Sequence, residues 1–392
     1  MNNTAHRLVD AAVRLWPDHA VVVGGTARGG AHELVFVPHA GAPRVLVPAR
    51  HPVAAARALC RFSHVLTLAE RASRLAVGAA LRAGGERLLP DRVVIRPGTG
   101  RPDSIESHLS GLLGTDVVVS ITVGSARANQ KPVLGVFDRR GHGVAFVKVG
   151  DTPRTVELVR REAEALAEVG ARAPAVLEVP RLLHYGPWRG LELLVMSTLD
   201  TVAWPTRRPV RRPPVAAMEA LADWFDGGTR PLAETGFWQG LVDVPGACQR
   251  YVDALATIAT RYGDRPVRLG AWHGDWTPWN MAWRGDRVQL WDWEQFATGV
   301  PRGLDRVHYV VNTVARRAGF SRDAVGAALR TPEVRAHADP DEQRLLVALY
   351  LAAITARYLR GSQGEGGDVL RDTSAVVLDA LTAAVGHAGG AR

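Results

Sequence analysis

The feature that constrains this chain most is a pair of short polar motifs in its last third. The first, at 273–280, reads His-Gly-Asp and ends in Asn after four intervening residues. The second, at 291–294, reads Trp-Asp-Trp-Glu, so that its Asp stands between two large apolar residues. Two unrelated polar turns would not explain the complete strings and their short separation. The motifs therefore predict a loop and a strand end that serve one site.

The residue types in the motifs predict the chemistry of phosphoryl transfer. Asp275 can accept or orient the proton of an attacking hydroxyl, which makes it the candidate catalytic residue. Asn280 and Asp292 can hold Mg²⁺ against the phosphates of a nucleotide. His273 is grouped with Asp275 in the catalytic set, and we expect it to brace the loop.

The composition is that of a globular protein and excludes several other classes. Hydrophobic residues make up 47% of the 392 residues and charged residues 22%, which is ordinary for a globular chain of roughly two or three domains. No apolar run approaches the ~20 residues of a membrane span, and the N-terminus lacks a signal-peptide apolar region. Cys60 and Cys248 are too few for a disulfide framework, and we expect both to be buried. These observations predict a cytoplasmic protein without a membrane contact.

The formal net charge of +9 does not indicate a nucleic-acid partner. The arginines are spread along the whole chain and form no single stripe with interleaved aromatic residues. Attraction of an anionic nucleotide is the simpler use of this positive field. We therefore predict no nucleic-acid binding.

Lysine is rare here, which makes its positions informative. Of the 48 lysine and arginine residues, only Lys131 and Lys148 are lysines. Where arginine supplies nearly every cation, lysine is expected where its compact ammonium is needed. The alternation at 144–150 predicts a half-buried strand around Lys148, and a strand lysine that reaches the α- and β-phosphates is the next part of a kinase-type site. Lys131 can contact phosphate or cap a hairpin, and both alternatives stay open.

The segment before Lys148 fits a phosphate-covering hairpin. Residues 117–123 and 133–137 read as strands, and the intervening loop offers Ser125 and Arg127 as candidate nucleotide contacts. Because the loop contains a single glycine, an ordinary hairpin is the alternative.

The segment 155–167 reads as an amphipathic helix. Glu162 lies at the border of its apolar stripe and is the best candidate partner for Lys148, with Glu164 second. A solvated helix charge is the alternative.

Taken together, these residues resemble the aminoglycoside phosphotransferase and choline-kinase-like family over about residues 117–390. Gly274 replaces the Arg usual in protein kinases, and Asp-Trp-Glu at 292–294 replaces Asp-Phe-Gly, which is typical of the small-molecule branch. The resemblance implies an α+β, bilobal protein-kinase-like fold. Its parts would be a mainly β N-lobe at 116–199, a helical C-lobe at 200–392 and an extra α/β N-terminal extension at 1–115.

The resemblance also implies cofactors and further site residues. It implies ATP, or GTP, with Mg²⁺ and transfer of the γ-phosphoryl group to a hydroxyl. Met196 and Thr198, which follow an apolar strand, would belong to the hinge that reads the purine. Asp305 resembles the structural Asp of the family, and we expect a brace there, not a catalyst.

The N-terminal extension departs from the family pattern. It either adds strands to the N-lobe or binds a partner. Its residue pattern predicts, in order, a helix at 6–16, a hairpin at 33–48, helices at 53–62 and 68–83, a strand at 92–96 and a helix at 104–113.

The sequence leaves the acceptor open. A polycationic aminoglycoside would need a cluster of carboxylates, whereas the acidic residues after the second motif are scattered among arginines. The loop at 206–214 carries four arginines and is either a solvated linker or a contact for an anionic, sugar-like or acidic peptide acceptor. We expect the hydroxyl of a small molecule, a sugar or natural product. A Ser/Thr peptide acceptor and a nucleotide-binding pseudokinase are the alternatives, and the oligomeric state is not indicated.

Overall fold

The computed structural model describes residues 2–24, 32–98, 103–123, 131–170, 174–201, 204, 208–335, 339–363 and 368–386. Its α-helices are α1 (Asn3–Leu15), α2 (Pro52–Leu59), α3 (Leu68–Arg82), α4 (Ile105–Leu113), α5 (Pro153–Gly170), α6 (Val215–Trp224), α7 (Gly236–Val242), α8 (Gln249–Tyr262), α9 (Leu304–Ala318), α10 (Arg322–Leu329), α11 (Pro340–Ser362) and α12 (Asp368–Gly386). Its strands are β1 (His19–Val23), β2 (His32–Val37), β3 (Val45–Pro48), β4 (Arg92–Pro97), β5 (Val117–Val123), β6 (Pro132–Asp138), β7 (Gly143–Gly150), β8 (Leu177–Glu178), β9 (Leu182–Trp188), β10 (Leu191–Met196), β11 (Thr229–Pro231), β12 (Pro266–Trp272), β13 (Met281–Arg284), β14 (Arg287–Leu290) and β15 (Ala297–Pro301).

The chain divides into two compact units. The first consists of Met1–Phe62, Leu66–Gly170 and Pro180–Pro205. The second consists of Ser63–Val65, Ala171–Val179 and Thr206–Arg392. Because the first is built on a large sheet and the second mainly on helices, the predicted α+β class is confirmed.

The first unit contains one sheet of nine described strands, in the order β1-β4-β2-β3-β5-β6-β7-β10-β9. The predicted helices, hairpin and strand of the extension are all present, with ends shifted by a few residues. The join between extension and kinase-like part is the antiparallel pairing of β3 with β5, where Leu46 lies opposite Ile121. Of the two alternatives for the extension, the structure shows the added strands.

Both faces of this sheet are covered, and the strand alternation decides which side chains lie on which face. One face packs against α1 and α4 through Leu8 and Leu109, and Val147 of β7 belongs to the same apolar core. The other face is covered by α2, through Ala54 and Ala55, in a separate apolar core. Residues of β7 that flank Val147 therefore point away from α1 and α4.

The second unit is organised around an apolar core that α8, α9, α11 and α12 share with β12. Strand β12 pairs with β11 and β15, and β13 forms a hairpin with β14. Strand β12 ends one residue before the motif at 273–280, and β14 ends one residue before the motif at 291–294. Both motifs thus begin where a buried strand ends.

The expectation that both cysteines are buried was wrong for one of them. Cys248 is exposed because it occupies the N-cap position of α8 at the surface. Cys60 is partly buried. No helix in the described ranges is long and apolar enough to cross a bilayer.

Candidate active site

The loop of the first motif is hydrogen-bonded to Asp305, which lies in the first turn of α9. The backbone N–H of His273 donates to Asp305 Oδ2 at 2.7 Å, and that of Gly274 donates to Oδ1 at 3.0 Å. Burial raises the pKa of Asp305 to about 7, although the two N–H donors act in the opposite direction. Both carboxylate oxygens are directed at backbone, which is the geometry of a brace.

The glycine of the motif is required by the backbone. Gly274 has a φ of +78°, in the left-handed region that side-chain-bearing residues rarely adopt. A Cβ at this position would run into the carbonyl oxygen of Gln295. The Gly274 carbonyl accepts a hydrogen bond from Arg357 Nη1 at 2.8 Å. Any larger residue here would displace the loop that carries Asp275.

His273 is fully buried and engaged through both ring nitrogens. Its Nδ1 lies 3.2 Å from the backbone N–H of Asp275, and its Nε2 lies 3.2 Å from the carbonyl oxygen of Trp291. An N–H can only donate and a carbonyl can only accept, so the tautomer protonated at Nε2 satisfies both contacts. Burial lowers the pKa of His273 to about 4. The imidazole is therefore a neutral link between the two motifs.

The carboxylate of Asp275 is held at both oxygens. Asn280 Nδ2 donates to Asp275 Oδ2 at 2.8 Å and to the Asp275 carbonyl oxygen at 3.0 Å. His308 Nε2 lies 3.1 Å from Asp275 Oδ1. Because both contacts of Asn280 use its NH₂ group, its Oδ1 is the atom that can coordinate a cation.

The second motif places Asp292 in a strained conformation. Asp292 has a φ of +74°. Among the described non-glycine residues, only Arg189, at +49°, also has a positive φ. Such conformations are energetically costly and persist only where the surrounding structure enforces them, and they are found most often at functional sites. The next residue, Trp293, is anchored, since it is fully buried and its Nε1 donates to the Leu290 carbonyl at 3.1 Å. A carboxylate oxygen of Glu294 lies within 4.8 Å of one of Asp292.

In the first unit, Lys148 and Glu162 form the predicted ion pair. The Lys148 Nζ lies 2.6 Å and 2.5 Å from the two carboxylate oxygens of Glu162. Glu162 is fully buried and Lys148 is 9% exposed. The second candidate, Glu164, instead pairs with Arg160 on the exposed side of α5.

The remaining predicted nucleotide residues lie at the end of β10 or outside the described residues. Met196 is buried and pairs in register with Phe146 of β7. Thr198 Oγ1 lies 3.5 Å from the carbonyl oxygen of Gly143, at the start of β7. Ser125 and Arg127 lie outside the described residues. The roles of all four in nucleotide binding stay predictions.

Two solved structures of an aminoglycoside phosphotransferase have a similar fold. No protein-family model matches the chain, and no curated protein sequence matches it. A thermostable mutant of aminoglycoside phosphotransferase APH(4)-Ia, in a ternary complex with ADP and hygromycin B, aligns with a TM-score of 0.51 at 19% identity. The alignment covers 74% of this chain and 100% of that chain. The apo form of a thermostable mutant of APH(4)-Ia aligns with a TM-score of 0.51 at 18% identity, over 73% of this chain and 100% of that chain.

The chain has the fold of an aminoglycoside phosphotransferase. The protein-kinase-like fold implied by its motifs is therefore confirmed. In this kinase-like fold, β7 with Lys148 and α5 with Glu162 belong to the first unit, and the two polar motifs belong to the second.

His308 of α9 contacts Asp275, and none of the sequence motifs predicted this contact. His308 is buried, and burial lowers its pKa. Its Nδ1 lies 3.4 Å from the hydroxyl of Tyr350, so this ring is also contacted at both nitrogens. His308 follows Asp305 by three residues on one helix, and residues three apart share a helix face. That spacing is the sequence signal that could have found it.

The arginine-rich loop is attached to the second unit of the kinase-like fold. The guanidinium of Arg208 lies 3.9 Å from the ring centroid of Trp283 and pairs with Asp286. The hydroxyl of Tyr309 donates to the carbonyl oxygen of Val210 at 2.8 Å. The described part of this loop therefore contacts the second unit, while its Arg208, Arg211 and Arg212 are exposed, so that both alternatives for the loop stay open.

The buried pair of Lys148 and Glu162 predicts a stability effect that needs no substrate. Lys148→Met is expected to lower the free energy of unfolding by about 3–5 kcal/mol, because it leaves a carboxylate buried without its ammonium. The double variant Lys148→Met/Glu162→Leu should recover most of this loss. Urea denaturation of the wild type, both single variants and the double variant measures the effect. A double variant as unstable as Lys148→Met would contradict it.

Proposed function

We propose that this protein is an ATP-dependent phosphotransferase that moves the γ-phosphoryl group to a hydroxyl of a small molecule, such as a sugar or natural product. The proposal rests on the position of the Asp275 carboxylate. Asn280 contacts one of its oxygens, Oδ2, and His308 contacts the other, Oδ1. A carboxylate fixed in this way can accept or orient the proton of an attacking hydroxyl.

Residues of the first unit are proposed to bind the nucleotide. Lys148, oriented by Glu162, contacts the α- and β-phosphates, since an ammonium on a central strand is a compact charge for this purpose. Met196 and Thr198 border the base, and GTP is the alternative to ATP. Ser125 and Arg127 are the candidates for further phosphate contacts.

The second unit offers oxygen atoms that are suitable ligands for Mg²⁺. This ion prefers oxygen ligands and is commonly held by one or two protein groups together with phosphate oxygens. Asn280 Oδ1 and the Asp292 carboxylate would hold it, with the Glu294 carboxylate close by. When bound, Mg²⁺ neutralises charge on the phosphates of the nucleotide.

The acceptor is proposed to be a small molecule without many positive charges. Two carboxylates at the start of α11 are already paired, that of the N-cap residue Asp339 with Arg265 and that of Asp341 with Arg261. The similar APH(4)-Ia structure is a ternary complex with ADP and a small molecule, hygromycin B. A small-molecule hydroxyl is therefore favoured over a peptide, and a polycationic aminoglycoside is disfavoured.

An acceptor screen tests the proposal. Sugars, nucleosides, aminoglycosides, other hydroxylated natural products and Ser/Thr peptides would be compared for acceptor-dependent ADP release, with Asp275→Asn as the background enzyme. Release with a small molecule is the expected result. Release with peptides alone would replace the proposal by the peptide-kinase alternative. Normal ATP binding without any acceptor would favour the pseudokinase.

His308 provides a prediction on turnover. His308→Phe is expected to lower kcat about tenfold or more, because Asp275 Oδ1 loses the donor that fixes its orientation. His308→Gln keeps an N–H donor of similar reach and should recover part of the rate. Steady-state kinetics with the identified acceptor, together with the Kd for ADP, measure both effects. An unchanged kcat in His308→Phe would show that Asn280 alone orients the carboxylate.

A further inference from the structure

The N-terminal extension reaches the face of the sheet that carries Lys148. Its helix α2 packs on the face opposite to α1 and α4, and the chain leaves this helix at residues 60–62. There the guanidinium carbon of Arg61 lies 4.0 Å from the ring centroid of Phe146. Phe146 precedes Lys148 by two residues on β7, so both side chains point to the same face.

The position of Arg61 along the strands is also defined. Phe146 lies opposite Met196 in the pairing of β7 with β10. Two residues of a strand span about 7 Å, which separates the Phe146 position from that of Lys148. Arg61 therefore lies over the part of the sheet next to the segment proposed to border the base, and Lys148 lies toward the phosphates.

Contacts on both sides fix the backbone of this segment. The N–H of Phe62 donates to Thr201 Oγ1 at 3.2 Å, a few residues beyond Thr198. From the other side, Arg74 of α3 donates to the carbonyl oxygen of Arg61. The Arg61 residue as a whole is exposed, whereas the packing around its guanidinium lowers the pKa of that group to about 10, so that it stays charged at neutral pH. A fixed backbone with a guanidinium stacked on an aromatic ring is suited to receive a planar ligand.

We infer that Arg61 is a nucleotide-binding residue that the extension contributes, with its guanidinium stacked on the purine base. A guanidinium is planar, permanently charged and stacks on aromatic faces, and a purine offers such a face. Its charge also favours the approach of an anionic nucleotide. This inference rests on the proposed function and assigns to the extension a part in the nucleotide site of the first unit.

Nucleotide-binding measurements on matched variants test the inference. The Kd values for ADP and for adenosine would be measured by calorimetry for the wild type, Arg61→Ala, Arg61→Lys and the control Arg57→Ala, an exposed arginine of α2. Arg61→Ala should weaken both ligands about tenfold, as the loss of a stacked cation predicts. Arg61→Lys should recover part of the affinity, because lysine keeps the positive charge but lacks the planar guanidinium that stacks on the base. Arg57→Ala should bind as the wild type does.

The other outcomes overturn the inference in separate ways. Unchanged or tighter binding by Arg61→Ala would mean that the guanidinium contributes nothing or covers the site. Weaker ADP with unchanged adenosine would assign Arg61 to phosphate. Thermal denaturation checks folding, and Arg61→Gln, which keeps a planar polar group without the charge, replaces Arg61→Ala if that variant unfolds. A wild type that binds no nucleotide would overturn the proposed function itself, whereas equal binding by wild type and Arg61→Ala overturns this inference alone.

Discussion

Replacement of Asp275 by Asn is expected to lower turnover by ~10²-fold or more while nucleotide binding is largely preserved. The amide has nearly the shape of the carboxylate, and its oxygen can still accept from Asn280 or His308, which keeps the loop in place. The amide cannot take up a proton at neutral pH, so the loss falls on the chemical step. Steady-state kinetics and the Kd for ADP separate the two effects.

A surface variant controls for nonspecific effects of the same substitution. Asp264 is exposed in the turn after α8, and Asp264→Asn should leave both turnover and binding unchanged. Turnover of Asp275→Asn at the wild-type level would remove Asp275 from the catalytic role.

Replacement of Asp292 by Asn is expected to abolish most of the magnesium-dependent gain in nucleotide affinity, by ~10²-fold or more. The reason is the loss of an anionic oxygen ligand, since even residues that only support metal ligands are worth 10–100-fold. Asn is the preferred substitution because it tolerates the left-handed φ of +74° that Asp292 adopts. The change therefore removes charge with little alteration of the backbone.

Titrations of ADP with and without Mg²⁺ measure this effect. The variant and the wild type should bind ADP similarly when the metal is chelated, and only the wild type should gain affinity when Mg²⁺ is added. An equal gain in the variant would contradict the metal role of Asp292.

Local patterns were sufficient to predict much of the fold. The extension elements followed from apolar periodicity, and the amphipathic stripe of α5 placed Glu162 within reach of Lys148, as the 2.6 Å and 2.5 Å contacts show. These features could be predicted because they depend on residues close in sequence or on the alternation of one strand. The sequence marked Gly274 only as a replacement for the Arg of protein kinases, and the physical reason for the glycine, its positive φ, came from the structure.

The contacts that the sequence did not reveal join distant segments. His308 touches Asp275 across 33 residues, and Arg357 reaches the Gly274 carbonyl across 83. The stacking of Arg61 on Phe146 depends on the pairing of β3 with β5, which no local period specifies. Exposure of Cys248 depends on where α8 begins. Such features are set by tertiary packing, which overrides residue-type averages.

Transfer of the γ-phosphoryl group to a hydroxyl leaves a phosphorylated product that can be identified. The protein would be incubated with ATP, Mg²⁺ and the acceptor found in the screen, and the products examined by mass spectrometry and ³¹P NMR. We expect a phosphate monoester on the acceptor in an amount equal to the ADP formed, and none with Asp275→Asn. ADP accompanied only by inorganic phosphate, with the acceptor unmodified, would contradict this expectation.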